Sequence, residues 1–213
     1  MKGYSLYIFD FDNTLFDTSY GMKAILSRAL PSVGMDYDDS MLPRFAGMTM
    51  EQIFDECVKA EAKRARFYEE FKRVVHSDVY LVAEPFPETE RALRELQRRG
   101  KRIAIASGKY KYKIENLLER HGLSDVPEVV IGYKETRNHK PCPDPVLKAM
   151  SYFRIPKSET IYVGDSPHDP IAAKRAGIDS AIVRRNNGLS PDGIPCTWTI
   201  ESLEELLDGN RGA

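Results

Sequence analysis

The chain has 213 residues, with 31 basic against 32 acidic side chains, a formal net charge of -1 and 42% hydrophobic residues. That length suits one large domain, or a domain carrying a smaller insert, with a substantial core. The charge balance excludes a chain-wide attraction to nucleic acid or an anionic membrane, and no apolar run approaches the ~20 residues of a membrane-spanning helix. Cys57, Cys142 and Cys196 are odd in number, scattered and without C-x-x-C spacing, which argues against a disulfide framework or a structural zinc. Free thiols, no room for a signal peptide before the first core strand, and no heptad pattern together lead us to expect a soluble, cytoplasmic monomer.

Residues 6–9 are apolar, aromatic and β-branched, and predict a buried strand that delivers Asp10 to its carboxyl end. Asp12, Asn13 and Thr14 follow. Two carboxylates one residue apart repel each other, and a hard divalent cation such as Mg²⁺ suits an all-oxygen set; an Asx-rich turn is the structural alternative. Residues 18–30 read as a helix closed by Pro31, and up to about residue 78 the chain stays helix-forming and charged, with apolar faces in 50–59 and 60–76. Pro85 and Pro87 then mark a return hinge.

A helix–strand rhythm follows. Residues 88–99 predict a helix ended by Gly100, and 102–106 a short strand delivering Ser107, Gly108 and Lys109. Residues 112–121 predict a helix, 128–132 a strand, 144–153 a helix, and 160–164 a strand delivering Asp165. A helix over 171–176, a strand over 180–183, a Gly/Pro/Asn-rich loop over 186–195 and a terminal helix over 201–207 complete the pattern. Alternating strands and helices predict an α/β fold, a Rossmann-like, doubly wound parallel sheet.

Such a topology would bring Asp10, Asp12, Ser107, Asp165 and Asp169 to one edge of the sheet, with Lys140 entering just before a helix. In these segments the sequence resembles the haloacid dehalogenase superfamily of phosphohydrolases. Asp10-Phe11-Asp12-Asn13-Thr14 is similar to its first motif, Ile105-Ala106-Ser107-Gly108-Lys109 to its second, Lys140-Pro141-Cys142-Pro143-Asp144-Pro145 to its third and Gly164-Asp165-Ser166-Pro167-His168-Asp169 to its fourth. Four ordered motifs, each at its predicted strand end, make the likeness specific.

The resemblance implies that Asp10 is a nucleophile forming an aspartyl-phosphate and Asp12 the general acid and base. It also implies that Mg²⁺ is held by the Asp10 carboxylate, the Asp12 backbone carbonyl and Asp165. Asp169 would orient these ligands or itself reach the metal. Ser107, with the backbone around Gly108, would hold phosphate oxygens, and Lys140 would stabilise charge on the transferring group. Lys109 either touches substrate or is a solvated helix start; His168 and His139 are read as loop histidines rather than ligands, and His76 and His121 as residues near helix ends.

The insert between the first and second motifs resembles the helical cap of one subclass. It spans residues 16–82, leaving 1–15 and 83–213 as the core. The expected activity is hydrolysis of a small phosphorylated metabolite, similar to phosphoglycolate phosphatases. A phosphomutase of the β-phosphoglucomutase type is an alternative, weakened because Met22 and Met50 stand where such mutases carry a His and an Arg. A receiver-like or catalytically idle domain is another. Arg44, Met48, Thr49 and Met50 are candidate cap contacts, with a snorkelling Arg as the plainer reading of Arg44.

Overall fold

The computed structural model describes residues 1–45, 50–185 and 195–210. The chain divides into two compact units, one of Met1–Asp17 and Pro85–Arg185 with the carboxyl-terminal segment, the other of Thr18–Glu84. Strand β1 (Leu6–Phe9) begins the first unit and β2 (Phe16–Asp17) precedes the departure to the second.

The second unit is helical: α1 (Ser19–Ser32), α2 (Leu42–Phe45), α3 (Met50–Ile53) and α4 (Arg64–Val75). Its core gathers Leu26, Leu30, Phe45, Ile53, Phe54 and Phe67, and the Phe54 and Phe67 rings meet edge to face at 5.4 Å. Pro31 lies inside α1 instead of closing it. A proline this near a carboxyl end forfeits only the bond its missing N–H would make, and the helix stops one residue later. The predicted single helix over 50–59 is a short α-turn that widens to a π-helix over Phe54–Val58, ended by Lys59 at φ 58°. Of the candidate cap contacts, Met48 and Thr49 lie outside the described residues, and Arg44 is exposed and paired with Glu56 at 2.6 Å.

The chain returns through β3 (Glu84–Pro85), which pairs with β2. Then come α5 (Thr89–Arg98), β4 (Arg102–Ala106), α6 (Lys111–Arg120), β5 (Val129–Ile131), α7 (Asp144–Met150), β6 (Thr160–Gly164), α8 (His168–Ala176), β7 (Asp179–Val183) and β8 (Trp198–Ile200). Gly100 and Gly122 follow α5 and α6 at positive φ, the left-handed turn glycine adopts most readily. Strand β8 carries no run long enough to be predicted, and the expected terminal α-helix is a 3-10 helix over Leu203–Asn210. Of the predicted 186–195 loop, residues 186–194 lie outside the description.

Six strands form one sheet in the order β5-β4-β1-β6-β7-β8, every pairing parallel. The chain builds outward from β1 through β4 to β5, then crosses to the other side of β1 for β6, β7 and β8. The order therefore reverses beside β1, and the crevice beyond the carboxyl ends there is where open α/β sheets take ligands. All four β1 side chains are buried because both neighbouring strands and both helical layers cover them. Leu6 and Ile8 pack with Val146, Ala149, Ala172 and Ala176 from α7 and α8, and alternation sends Tyr7 and Phe9 to the opposite face.

Truncating the middle of this strand should be costly. Ile8→Ala is expected to lower unfolding free energy by about 2–5 kcal/mol, read from a lower urea midpoint at unchanged slope. A loss below about 1 kcal/mol would contradict the central placement of β1.

Candidate active site

Adjacent strands β4, β1 and β6 end at one level, and each hands the next residue to the crevice. Phe9 is paired with Ile105 on one side and Val163 on the other, and the Asp10 N–H donates to the Val163 carbonyl at 2.8 Å. Asp10, Ser107 and Asp165 are thereby carried to neighbouring strand ends, and all three are buried. Asp169, in the first turn of α8, comes back toward the same point.

The carboxylates of Asp10, Asp165 and Asp169 converge, with one oxygen of each within 4.8 Å of the others. Lys140 sits against them, its Nζ 2.9 Å from Asp10 Oδ1 and 2.7 Å from Asp169 Oδ1. Asp165 Oδ1 accepts a hydrogen bond from the Thr14 hydroxyl at 3.2 Å. Asp169 Oδ2 accepts both the N–H and the hydroxyl of Ser166 at 2.9 Å. Gly164 makes room for this arrangement, since a Cβ there would stand 2.2 Å from Asp169 Oδ2. Beneath the lysine, Tyr162 donates its hydroxyl to the Ala106 carbonyl at 2.5 Å and places its ring centroid 5.4 Å from Lys140 Nζ.

The electrostatics are unbalanced. Burial pushes Asp10 up to about 6, with Lys140 opposing the shift and Asp169 and Asp12 adding to it. Burial, then Asp169 and Asp10, hold Asp165 well above the usual carboxylate range. For Lys140 burial favours the neutral amine, but the Asp10 and Asp169 carboxylates overcome it and keep the group well above its ordinary value. One ammonium thus faces three carboxyl groups, and Asp10 Oδ1 is buried without a hydrogen-bond donor despite its ion pair. This all-oxygen cluster, short of positive charge, fits a hard divalent cation.

Asp12 does not join the three. It occupies the turn after β1, where Asn13 takes φ 53° and donates its N–H to the Phe16 carbonyl at 2.8 Å. The Asp12 carboxylate receives Lys109 Nζ at 2.7 Å. Lys109 is therefore a mostly buried partner of Asp12 and not a solvated helix start, and its N–H approaches Ser107 Oγ at 3.4 Å. Gly108 is exposed with open space around it. His139, in the loop before Lys140, is stacked on Tyr133.

Three contributors were not singled out from sequence. Thr14 lies in the first motif with nothing in the local pattern to mark its hydroxyl, and Tyr162 looks like any core aromatic in a strand. Arg185, just past β7, has a largely covered side chain: it donates to the Thr14 carbonyl at 2.5 Å, pairs with Glu88 at 2.6 Å and lies 3.7 Å over the Phe86 ring. No local spacing marks such an arginine, because its partners come from the far side of the chain.

A family model described as haloacid dehalogenase-like hydrolase matches residues 7–183. By sequence the chain is similar to Pyrophosphatase PpaX of Oceanobacillus iheyensis, 28% identical over 176 residues, 83% of this chain and 81% of that protein. It is also similar to Phosphoglycolate phosphatase of Aquifex aeolicus, 26% identical over 176 residues and 82% of each. Among solved structures, a haloacid dehalogenase-like hydrolase from Bacteroides fragilis superposes with a TM-score of 0.84 at 30% identity, over 95% of this chain and 99% of that one.

The raised Asp10 value carries a pH signature. An unfolded aspartate ionises near 3.9, so between that pH and about 6 the folded protein keeps a proton the unfolded chain has lost. The resulting stability is fully present below the unfolded value and lost as pH rises through about 6. In metal-free protein Asp10→Asn should flatten the fall in urea midpoint over that window and be the more stable protein at pH 7. An unaltered slope would contradict the burial of this charge.

Proposed function

The chain belongs to the haloacid dehalogenase-like hydrolases, and from that premise we propose that it is a Mg²⁺-dependent phosphatase of a small phosphorylated metabolite, working through an aspartyl-phosphate. The observation that carries the reading is the meeting of Asp10, Asp165, Asp169 and Lys140 at the ends of central strands, with Asp12 one turn away.

In this reading Asp10 attacks the phosphorus in line with the leaving oxygen, displacing the alcohol and forming an acyl phosphate. Asp12 gives its proton to the departing oxygen, then takes one from the water that hydrolyses the acyl phosphate. Its location on a turn, half-buried and paired with Lys109, suits a group that must reach both the alcohol and a water. Ser107 offers its hydroxyl to the phosphate oxygens. Lys140 supplies fixed positive charge where negative charge spreads in the transition state, and it costs no reorganisation because Asp10 and Asp169 already hold it. Mg²⁺, held by an Asp10 oxygen, the Asp12 carbonyl and Asp165, would screen these acids and draw in the phosphate. Asp169 and Thr14 act as positioning residues, the first on Lys140 and Ser166, the second on Asp165.

Residues 16–82 are assigned as the cap that selects the substrate, and 1–15 with 83–213 as the catalytic core of a cytoplasmic monomer. No helix of the described residues is long and apolar enough to cross a membrane.

Phosphate release from a generic aryl phosphate is expected to need Mg²⁺. Asp10→Asn should lower it at least ~10³-fold and Asp12→Asn roughly 10²–10⁴-fold. Added Mg²⁺ should raise the melting temperature of the wild type and much less that of Asp165→Asn. Equal turnover by Asp10→Asn, with deamidation excluded by mass spectrometry, would sink the nucleophile assignment.

A further inference from the structure

Beside the phosphate-handling residues lies a basic and aromatic surface that the proposed reaction leaves without a task. Tyr110, Lys111 and Tyr112 stand between Lys109, which is held by Asp12, and a buried Lys113, and Tyr133, Lys134 and His139 come from the loop between β5 and Lys140. Tyr133 and His139 are stacked with ring centroids 4.3 Å apart and planes 16° from parallel. Tyr110 presents its ring to Tyr133 at 5.4 Å and 70°, and Lys134 Nζ stands 5.6 Å over Tyr110. Tyr133 is nevertheless 42% exposed.

This surface is built into the same loops that hold the site. The Tyr133 N–H donates to the Lys109 carbonyl at 2.9 Å, while the Lys109 amine reaches Asp12. The Ser107 N–H donates to the Ile131 carbonyl at 2.9 Å. Gly132 lets the two loops touch: a Cβ there would stand 2.5 Å from Lys111 N and 2.8 Å from the Lys109 carbonyl oxygen. The turn is closed by Glu135, whose carboxylate accepts the Gly132 N–H at 2.8 Å and whose carbonyl accepts Lys148 Nζ. The rings are thus held at a fixed offset from Ser107 and Lys109. Strand β5 is two places from β1, ~10 Å at the usual strand spacing.

Resting on the phosphatase reading, the geometry points to a nucleoside monophosphate as the substrate class, with its phosphate at Asp10 and its base on the Tyr133–His139 stack. Exposed tyrosines beside lysines attract a flat ring attached to an anion, because stacking and cation–π contact act together there. A sugar is the kind of spacer that spans two strands; a two-carbon acid such as glycolate does not reach the rings. Stacking accepts any π-face, so the preference is for bases over aliphatic groups and weak among the four bases.

The test compares kcat/KM for AMP and UMP with that for β-glycerophosphate, in wild type, Tyr133→Leu and Tyr133→Phe. Wild type is expected to favour the nucleotides. Tyr133→Leu should raise the nucleotide KM about tenfold with kcat nearly unchanged, Tyr133→Phe should restore it, and β-glycerophosphate kinetics should not move. Binding of AMP to Asp10→Asn, and its loss in Asp10→Asn/Tyr133→Leu, reads the ring contact without turnover. Nucleotides no better than β-glycerophosphate, equal impairment of both by Tyr133→Leu, or AMP binding indifferent to that change would overturn the assignment. Absence of phosphate release from every ester would instead refute the phosphatase reading, leaving the binding measurement to decide the ring contact.

Discussion

Burying like charges side by side is the constraint around which the first unit is arranged. Asp10, Asp165 and Asp169 would ordinarily repel, and the lone ammonium of Lys140 answers only part of that repulsion. Donors from several elements answer more: the Thr14 hydroxyl on Asp165, and the Ser166 N–H and hydroxyl on Asp169. The remainder is what suits the cluster to a divalent cation, whose positive charge relieves a site left incompletely satisfied. Gly164 belongs to the same account, because the acids can close on one another only where no side chain intervenes.

Parallel topology is the cheapest way to collect such groups. Strands β4, β1 and β6 run in one direction and lie side by side, so residues as far apart in sequence as Asp10 and Asp165 emerge on one edge. A rigid edge suits chemistry that tolerates little misplacement, whereas groups on turns can be reoriented. Asp12 is of the second kind, on a turn with a left-handed Asn13, and in the proposed reaction it has two different partners in succession.

Much of this was legible in the sequence, for physical reasons. A strand buried on both faces shows as an apolar run, as in residues 6–9 and 160–164, and a glycine after an amphipathic stretch marks a helix end, as at Gly100 and Gly122. Asp10 and Asp165 were visible because each directly follows a strand, whereas Asp12, on a turn, and Lys140, four residues ahead of α7, were visible only through the motifs they belong to. What was hidden depends on partners remote in sequence. Strand β8 is three residues whose pairing with β7 decides its conformation. The passage of α1 through Pro31 and the π-turn after Ile53 reflect packing of the second unit's core, which no local pattern announces. Arg185 and the Tyr110–Tyr133–His139 rings likewise become visible only once distant segments are brought together.

Arg185 has a bearing on how such a molecule can change over time. Its guanidinium ties the Thr14 carbonyl, the Phe86 ring and Glu88, and Phe86 itself donates its N–H to the Leu15 carbonyl at 3.0 Å. The exit and re-entry points of the long excursion are therefore stitched to each other by groups belonging to the first unit alone. An intervening segment joined at such neighbouring stumps can be lengthened, shortened or replaced wholesale without unravelling the edge that holds the acids. Grafting of foreign inserts between positions 17 and 85 becomes a practical route to new selectivities on an inherited chemistry.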